Sequence, residues 1–498
     1  MLIARSFTIT NTKQRSAHMH FPDRVYGLEH EYGFIDLLPS GSFQQSSCTN
    51  IEFMTEAIPG SVLSRIGRLR MWHPNGSCSY VDTGNHPEHA TAECRSVRDA
   101  VCHAKAGDLL INQIFSRPHF WPFKLHLFKN NIGYHDKMNL YTSFGCHENY
   151  MAKEPASFLS TLGPLLITRQ IIDGAGWWCE AKTSSCAYHL SQRALMMEYA
   201  VNSSTVQGRG IWNNKTTNDS GKAPRIHIIC GDSNILEFAA YLKIGAVALI
   251  LALIEANKSP CIPILDPVRT MQIISSSADP FRACVGETSG ESKSAFDIQT
   301  IYLEAARKEL AAGSFDSEDT EAELKHIALC WEQALNAIYN RDIKWMLGRL
   351  DHVTKKYLTD REVARRRLTD PDEIFSLRKD MDIMYHNIMN MSLQERMNRT
   401  WADRRILTDQ EVEQACAKPP KTRASIRSRF IAYAIEHDIY PLHIDWAYVG
   451  FRASYDDCFA IQDPLAHESA DLDPFLSLWK DRGYVLVDTP DVTSPNGC

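Results

Sequence analysis

Apolar and polar positions alternate most clearly over 24–35, RVYGLEHEYGFI, which predicts a strand with Glu29 and Glu31 on the same side. The same period of two marks 125–131 (LHLFKNN), 144–150 (FGCHENY), 225–234 (RIHIICGDSN, with Arg225, His227 and Ile229 on one face) and 442–451 (LHIDWAYVGF). Helical spacing appears at 97–114, where Asp99 sits in the first turn, and at 155–174, which ends on Gly174. A long helix running to Glu255 is expected to be capped by Asp232 or Ser233. The stretch 51–70 reads as mixed and helical, and 202–224, rich in Asn, Ser, Thr and Gly, as a loop. From Asp297 onward the pattern turns to charged, Ala- and Leu-rich helices at 298–312, 320–340 and 361–368. A smaller unit follows Tyr385, with helices at 408–417 and 422–435 around a Pro419-Pro420 break.

Composition narrows this picture. A chain of 498 residues with 44% hydrophobic and 23% charged residues has the make-up of a globular enzyme with a large core. Its net charge of −7 argues against holding nucleic acid by bulk electrostatics. The uncharged run 244–254 falls short of the ~20 residues that span a membrane, so a core helix is expected and no membrane partner. Fourteen cysteines without paired spacing fit reduced thiols and a cytoplasmic setting. Cys179, Cys186 and His189 match no zinc spacing and read as ordinary buried thiols and a histidine. Residues 1–23 lack an apolar core with a cleavage site and read as a flexible leader, with a mild transit-peptide look as the alternative.

The candidate chemistry gathers in two stretches, 27–33 (GLEHEYG) and 75–94 (NGSCSYVDTGNHPEHATAEC). Two carboxylates on one strand face repel unless a cation lies between them, which makes Glu29 and Glu31 metal-ligand candidates; the plainer alternative is an exposed edge strand. Glu88 and Glu93 are further ligand candidates, with Asp82 near them. Oxygen-rich donor sets without cysteine favour Mg2+ or manganese, and magnesium commonly arrives with phosphates, so ATP-dependent chemistry is the expectation. Asp82 is the general-base candidate. His147 and Glu148 are adjacent, so they face opposite sides of a strand and form no HExxH helix. No P-loop, dinucleotide fingerprint, kinase loop or GxSxG elbow is present.

These stretches, together with HAKAG (103–107), LFKNN, GCHENY, LSQRA (190–194), HIICGDSN and PPKTRASIRSRF, run in order from about Arg24 to Pro464 and closely resemble the Pup ligase/depupylase family, carboxylate-amine ligases related to glutamine synthetase. The short span between Glu31 and Asn75 is similar to the ligase branch. The resemblance implies an α+β, glutamine-synthetase-like fold: a curved, mainly antiparallel sheet cradling ATP, packed with helices, plus a small C-terminal domain. The implied boundaries are a leader at 1–23, a catalytic domain at 24–384 and a small domain at 385–498. The implied reaction joins the C-terminal glutamate γ-carboxylate of a Pup-like protein modifier to a lysine of a target protein, through a γ-glutamyl phosphate. A deamidase or depupylase on the same fold, or a catalytically weak modifier-binding relative, is the alternative. Carried over by position, Glu29, Tyr80 and Glu88 fall on magnesium sites, with Glu31 beside them; Asp82 falls on the catalytic aspartate. Thr91 and Trp446 fall on ATP contacts, with His227 and Lys215 as further nucleotide-side candidates. Two positions depart from the family. Its NGARLYLD carries an ATP-contacting arginine where this chain has Cys78, and its INTRDEPHAD becomes WNNKTTNDSG at 212–221, with Lys215 near the arginine position and Thr216-Thr217 in place of the acidic pair.

Overall fold

The structure, a computed structural model, describes residues 19–37, 43–45, 60–64, 69–82, 84, 86–116, 124–133, 142–153, 157–179, 187–215, 223–277, 279, 284–286, 292–439, 442–451 and 458–481. Its centre is a nine-stranded sheet built from β1 (Tyr26–Glu31), β2 (Val62–Ser64), β3 (Arg70–Trp72), β4 (Cys78–Val81), β5 (Pro87–Ala90), β6 (Cys146–Met151), β7 (Tyr199–Asn202), β8 (Gly210–Asn213) and β9 (Arg225–Ile228). The strand order is β7-β8-β9-β6-β1-β5-β4-β3-β2. Only the edge pair β7–β8 is parallel; the other pairings are antiparallel, so the sheet is mixed.

Register explains what each face carries. Glu31 lies opposite Glu88, Glu88 opposite Tyr80, and Tyr80 opposite Arg70. The next row sets His147, Glu29, Ala90, Cys78 and Trp72 side by side. Directly opposed residues share a face and neighbours along a strand alternate, so Glu29, Glu31 and Glu88 end on one side and Glu148, paired with Arg169, on the other. That other side is mainly apolar. Leu28, Tyr150, Ile226 and Ile228 join a core with helices α1 (Val97–Phe115), α2 (Glu237–Glu255), α3 (Ala295–Leu310) and α4 (Glu318–Tyr339).

Polar contacts fix how these helices meet the sheet. Ser96 caps α1 by accepting the Asp99 N–H (2.9 Å), and the Glu323 carboxylate of α4 accepts the Val97 and Arg98 N–H groups. Gly107, within HAKAG, lets α1 approach the sheet: a Cβ there would collide with the ring of His89. α2 is long and apolar enough to cross a membrane, yet 94% of that apolar window is buried inside the protein. It is a core helix.

Five expectations need correcting. The strand expected over 442–451 is two short antiparallel strands, His443–Ile444 and Tyr448–Gly450, with Trp446 in the turn between them. The 51–70 stretch contributes the strand β2 rather than a helix; residues 51–59 and 65–68 lie outside the described residues. The loop expected at 202–224 contains β8, held by Ile211, which is fully buried, and by Trp212 stacked on Phe158 at 4.3 Å. Tertiary packing there overrides a turn-rich composition. The helix expected over 155–174 divides into Phe158–Thr161, Gly163–Thr168 and Gln170–Asp173, with Pro164 opening the second piece. Asp232 does not cap α2. It accepts the Ala175, Gln192 and Arg193 N–H groups and the Ser191 hydroxyl, while Asp351 takes the Ile235 and Leu236 N–H groups before α2.

A second core covers the β2–β3–β4 end of the sheet. There Val62, Trp72 and Cys78 pack with Ile426 and Phe430 of a helix, α5 (Arg423–Glu436), and with Ile444, Val449 and Leu476 beyond it. The lock between this segment and the sheet is Glu93. Its carboxylate receives Arg423 Nε (2.6 Å) and both terminal nitrogens of Arg427 (3.0 and 2.9 Å), and the Thr422 hydroxyl donates to its carbonyl. Burial raises the carboxyl, but the Arg427 and Arg423 charges outweigh it and bring it to about 2. Glu93 is therefore bound to these arginines and is not a ligand beside Glu29.

Breaking a buried pair costs roughly 3 kcal/mol or more. Glu93→Gln is expected to lose about that much in urea unfolding at pH 7. Because the folded carboxyl titrates below its unfolded value near 4.3, the stabilisation is complete above that pH and fades as pH falls toward 2. The gap between wild type and variant should close over that window; a gap that does not narrow would mean the ion pairs contribute little.

Candidate active site

The acid-bearing face of the sheet floors a cavity of about 360 Å3, walled by β1, β4, β6 and β9 and closed on one side by Trp446. Glu29 lines it. His147 Nδ1 lies 3.1 Å from its carboxylate, the Asn149 amide donates at 3.1 Å, and His227 Nε2 stands 3.6 Å away. Glu31 accepts the Gly145 N–H (2.7 Å) and faces His86 Nδ1 at 3.2 Å. Glu88, 5% exposed, points at the same patch, 4.0 Å from His147 Nδ1. Asp82 accepts the His86 N–H at 2.6 Å and faces its ring at 3.6 Å.

Three groups of ligand atoms each lie within 4.8 Å of one another: Glu29/His147/His227, Glu31/Glu88/His147 and Glu31/Asp82/His86. Their electrostatics carry a strain of like charges. Burial, then the charges of Glu29, Glu31 and Asp82, push the Glu88 carboxyl well above its ordinary range. Glu31 goes the other way, to about 2, because His86, His147 and the Gly145 N–H outweigh its burial. His86 rises to about 9 despite burial, held charged between Asp82 and Glu31. Burial lowers His227 to about 4, so its ring is neutral and able to coordinate.

This donor set fits a divalent cation. Three carboxylates converge, and His147 Nε2 and both ring nitrogens of His227 are buried without a hydrogen-bond partner. A cation among them would neutralise the repulsion that Glu88 now answers by holding its proton.

The remaining candidates fall around the same cavity. Tyr80, Thr91, His227, Lys215 and Trp446 all line it. The Thr91 hydroxyl accepts the Leu28 N–H (3.0 Å), tying the wall to β1. Trp446 meets Trp72 edge to face at 5.0 Å, with the Arg427 guanidinium 5.0 Å from each ring, so its indole is held at the cavity rim. Lys215 is exposed just beyond β8; Thr216 and Thr217 lie outside the described residues. His89 turns to the opposite face, onto Ser79 (2.9 Å), and takes no part in the site. Cys179 and His189 sit at opposite ends of one strand pair, and Cys186 lies outside the described residues.

Sequence reasoning missed His147, His86 and Arg70. His147 was signalled by alternation within GCHENY, which places it with Asn149 on one face, but only the pairing of β6 with β1 sets it beside Glu29. Arg70, from β3, lines the cavity beside Tyr80.

An acid-lined, aromatic-ended cavity on one face of a mixed sheet has the make-up of a site for a nucleotide and its cations. The profile of the Pup-ligase protein family matches residues 24–450, and the chain belongs to that family. It is 31% identical to the Pup–protein ligase of Corynebacterium jeikeium strain K411 over 475 residues, covering 92% of this chain and 99% of the relative. It is also 31% identical to the Pup–protein ligase of Jonesia denitrificans over 462 residues, with 89% and 96% coverage. The structure is similar to that of the Pup ligase PafA in complex with the prokaryotic ubiquitin-like protein Pup (TM-score 0.78, 26% identity, 92% of this chain and 93% of that one). It is similar as well to PafA in complex with ADP (TM-score 0.71, 27% identity, 83% and 91%).

In the presence of a chelator, Glu88→Gln is expected to raise the melting midpoint, because it removes a buried carboxyl from a like-charged patch. Millimolar magnesium should reverse the order by raising the wild-type midpoint alone, with cation affinity in the variant down by more than about tenfold. Equal magnesium responses in the two proteins would show that Glu88 holds no cation.

Proposed function

We propose that this chain is an ATP-dependent carboxylate-amine ligase. It joins the C-terminal glutamate γ-carboxylate of a Pup-like protein modifier to the amine of a lysine on a target protein. Supporting this are its membership of the Pup-ligase family, near-full-length similarity to Pup–protein ligases, and likeness to a ligase solved with ADP. The observation that carries the reading is Asp82: a carboxylate held by His86 at the edge of the Glu31/Glu88 patch.

In this reading a γ-carboxylate oxygen of the modifier attacks the γ-phosphorus of ATP and ADP leaves. The lysine nitrogen then attacks the acyl carbon, inorganic phosphate leaves, and an isopeptide bond remains. Glu29, Glu31, Glu88 and Tyr80 are the residues that would hold Mg2+, which supplies charge neutralisation on the transferring phosphoryl group. Thr91, His227 and Lys215 face the nucleotide, and Trp446 offers a flat surface to its base. Asp82 takes the proton from the lysine, whose ordinary value near 10.4 keeps it protonated at neutral pH. His86 keeps that carboxylate oriented through its backbone N–H. The arrangement of acids on a sheet is glutamine-synthetase-like in this reading, with a catalytic unit at 24–384 and a small C-terminal unit at 385–498. A cytoplasmic location accords with ten free cysteines among the described residues.

The test combines the protein with ATP, magnesium, a Pup ending in glutamate and a lysine-bearing protein. A mass-shifted conjugate is expected, with one ADP released per conjugate. Asp82→Asn should lower conjugation by at least about 100-fold while ADP still binds. Cleavage of a preformed conjugate without ATP consumption would favour the depupylase alternative, and full conjugation by Asp82→Asn would remove Asp82 as the base.

A further inference from the structure

Cys78, which shares the sheet face of the site without lining the cavity, brings no charge to it. Its thiol is fully buried, packs with Val62, Trp72 and Phe430, and offers an anionic ligand neither charge nor a strong donor. Yet the wall is not without a cation. Tyr80 pairs with Arg70 and Cys78 pairs with Trp72, so Arg70 stands on the same face as Cys78, one row along and one strand over. That diagonal is within reach of a long side chain.

Arg70 differs from the other arginines near the site. Arg423 and Arg427 are committed to Glu93, and Arg225 donates to Asn149 at 2.5 Å. Arg70 is half-buried and lines the cavity, and its side chain makes no hydrogen bond or ion pair among the described residues. Its guanidinium carbon lies 5.9 Å from the centroid of the Tyr80 ring, so it stands beside the Tyr80 part of the wall. A guanidinium stays charged in such a place and carries five donors in a fork matched to phosphate oxygens. Lys215 reaches the cavity from β8, at the other end of the strand order.

We propose that Arg70 supplies, from the neighbouring strand, the phosphate-gripping guanidinium that Cys78 leaves out. The inference rests on the nucleotide reading of the cavity given above. It makes Arg70 a specificity determinant for the phosphates rather than for the base, and makes Cys78 and Arg70 a linked pair: one long cation fits this part of the wall, entering from β4 or from β3.

The experiment measures ADP and adenosine binding by calorimetry on the full chain with magnesium, for wild type, Arg70→Gln, Lys215→Gln, Cys78→Arg and the Arg70→Gln/Cys78→Arg double variant, with melting midpoints alongside. Arg70→Gln is expected to weaken ADP by about 10- to 100-fold, the loss of one or two charge-assisted hydrogen bonds, and to leave adenosine within about twofold. Cys78→Arg alone should leave ADP unchanged or weaker, since two guanidiniums then crowd one wall. In the double variant the new arginine should restore at least about tenfold of the lost affinity. ADP binding by Arg70→Gln equal to wild type overturns the proposal on its own. So does an equal loss of ADP and adenosine with a lowered melting midpoint, which would mark Arg70 as a support for Tyr80. A larger ADP loss in Lys215→Gln than in Arg70→Gln overturns it by naming another cation. No ADP binding by wild type would overturn both this proposal and the nucleotide reading.

Discussion

Three carboxylates that meet on one face of a sheet are the constraint on which the rest of this structure depends. Glu31 and Glu88 share a row on adjacent strands and Glu29 stands in the next row on the same face, and their mutual repulsion is unfavourable in a buried setting. The surroundings answer it locally. His147 and Asn149 hold Glu29, the Gly145 N–H and His86 hold Glu31, and Glu88 is left to keep its proton. That hierarchy leaves a charge deficit at the centre of the patch, open to a divalent cation.

Holding such a patch requires a rigid platform. The apolar face of the sheet supplies it through the α1–α4 layer, with α2 buried nearly all round. Glu93 does a related job on the other side of β5. By fastening Arg423 and Arg427 it brings the C-terminal segment over the β2–β4 end of the sheet and sets Trp446 at the cavity rim through the Arg427 contact with the Trp446 carbonyl (2.8 Å). Within one short stretch, then, Glu88 faces the site and Glu93 fastens the C-terminal segment beside it.

Local alternation made the site strands legible. GLEHEYG and the first four residues of RIHIICGDSN form strands with the face assignments their period of two implies, and the candidates from Glu29 to Trp446 each border one patch or cavity. Less legible was anything decided by a partner far along the chain. Glu93 looked like another ligand until Arg423 and Arg427, more than three hundred residues away, claimed it. Asp232 looked like a helix cap, because no local rule says that Ala175, Gln192 and Arg193 will present their N–H groups to it. The strand β8 was hidden in a turn-rich stretch for the same reason: its stability comes from Phe158 and from the β7 and β9 ladders, not from its own composition.

The same distinction bears on how a binding wall tolerates substitution. On a sheet, a point in the cavity is reached by residues of two or three adjacent strands, each entering at its own row. A cation lost from β4 is therefore not lost to the site if β3 presents one on the same face, and the register of Tyr80 with Arg70 meets that condition. Carboxylates that must touch one cation have no such freedom, because their short side chains and the small spread of coordination distances tie each to a single row. Ligand residues of the acid patch are thus bound to position, whereas the cations around the phosphates need only share its face.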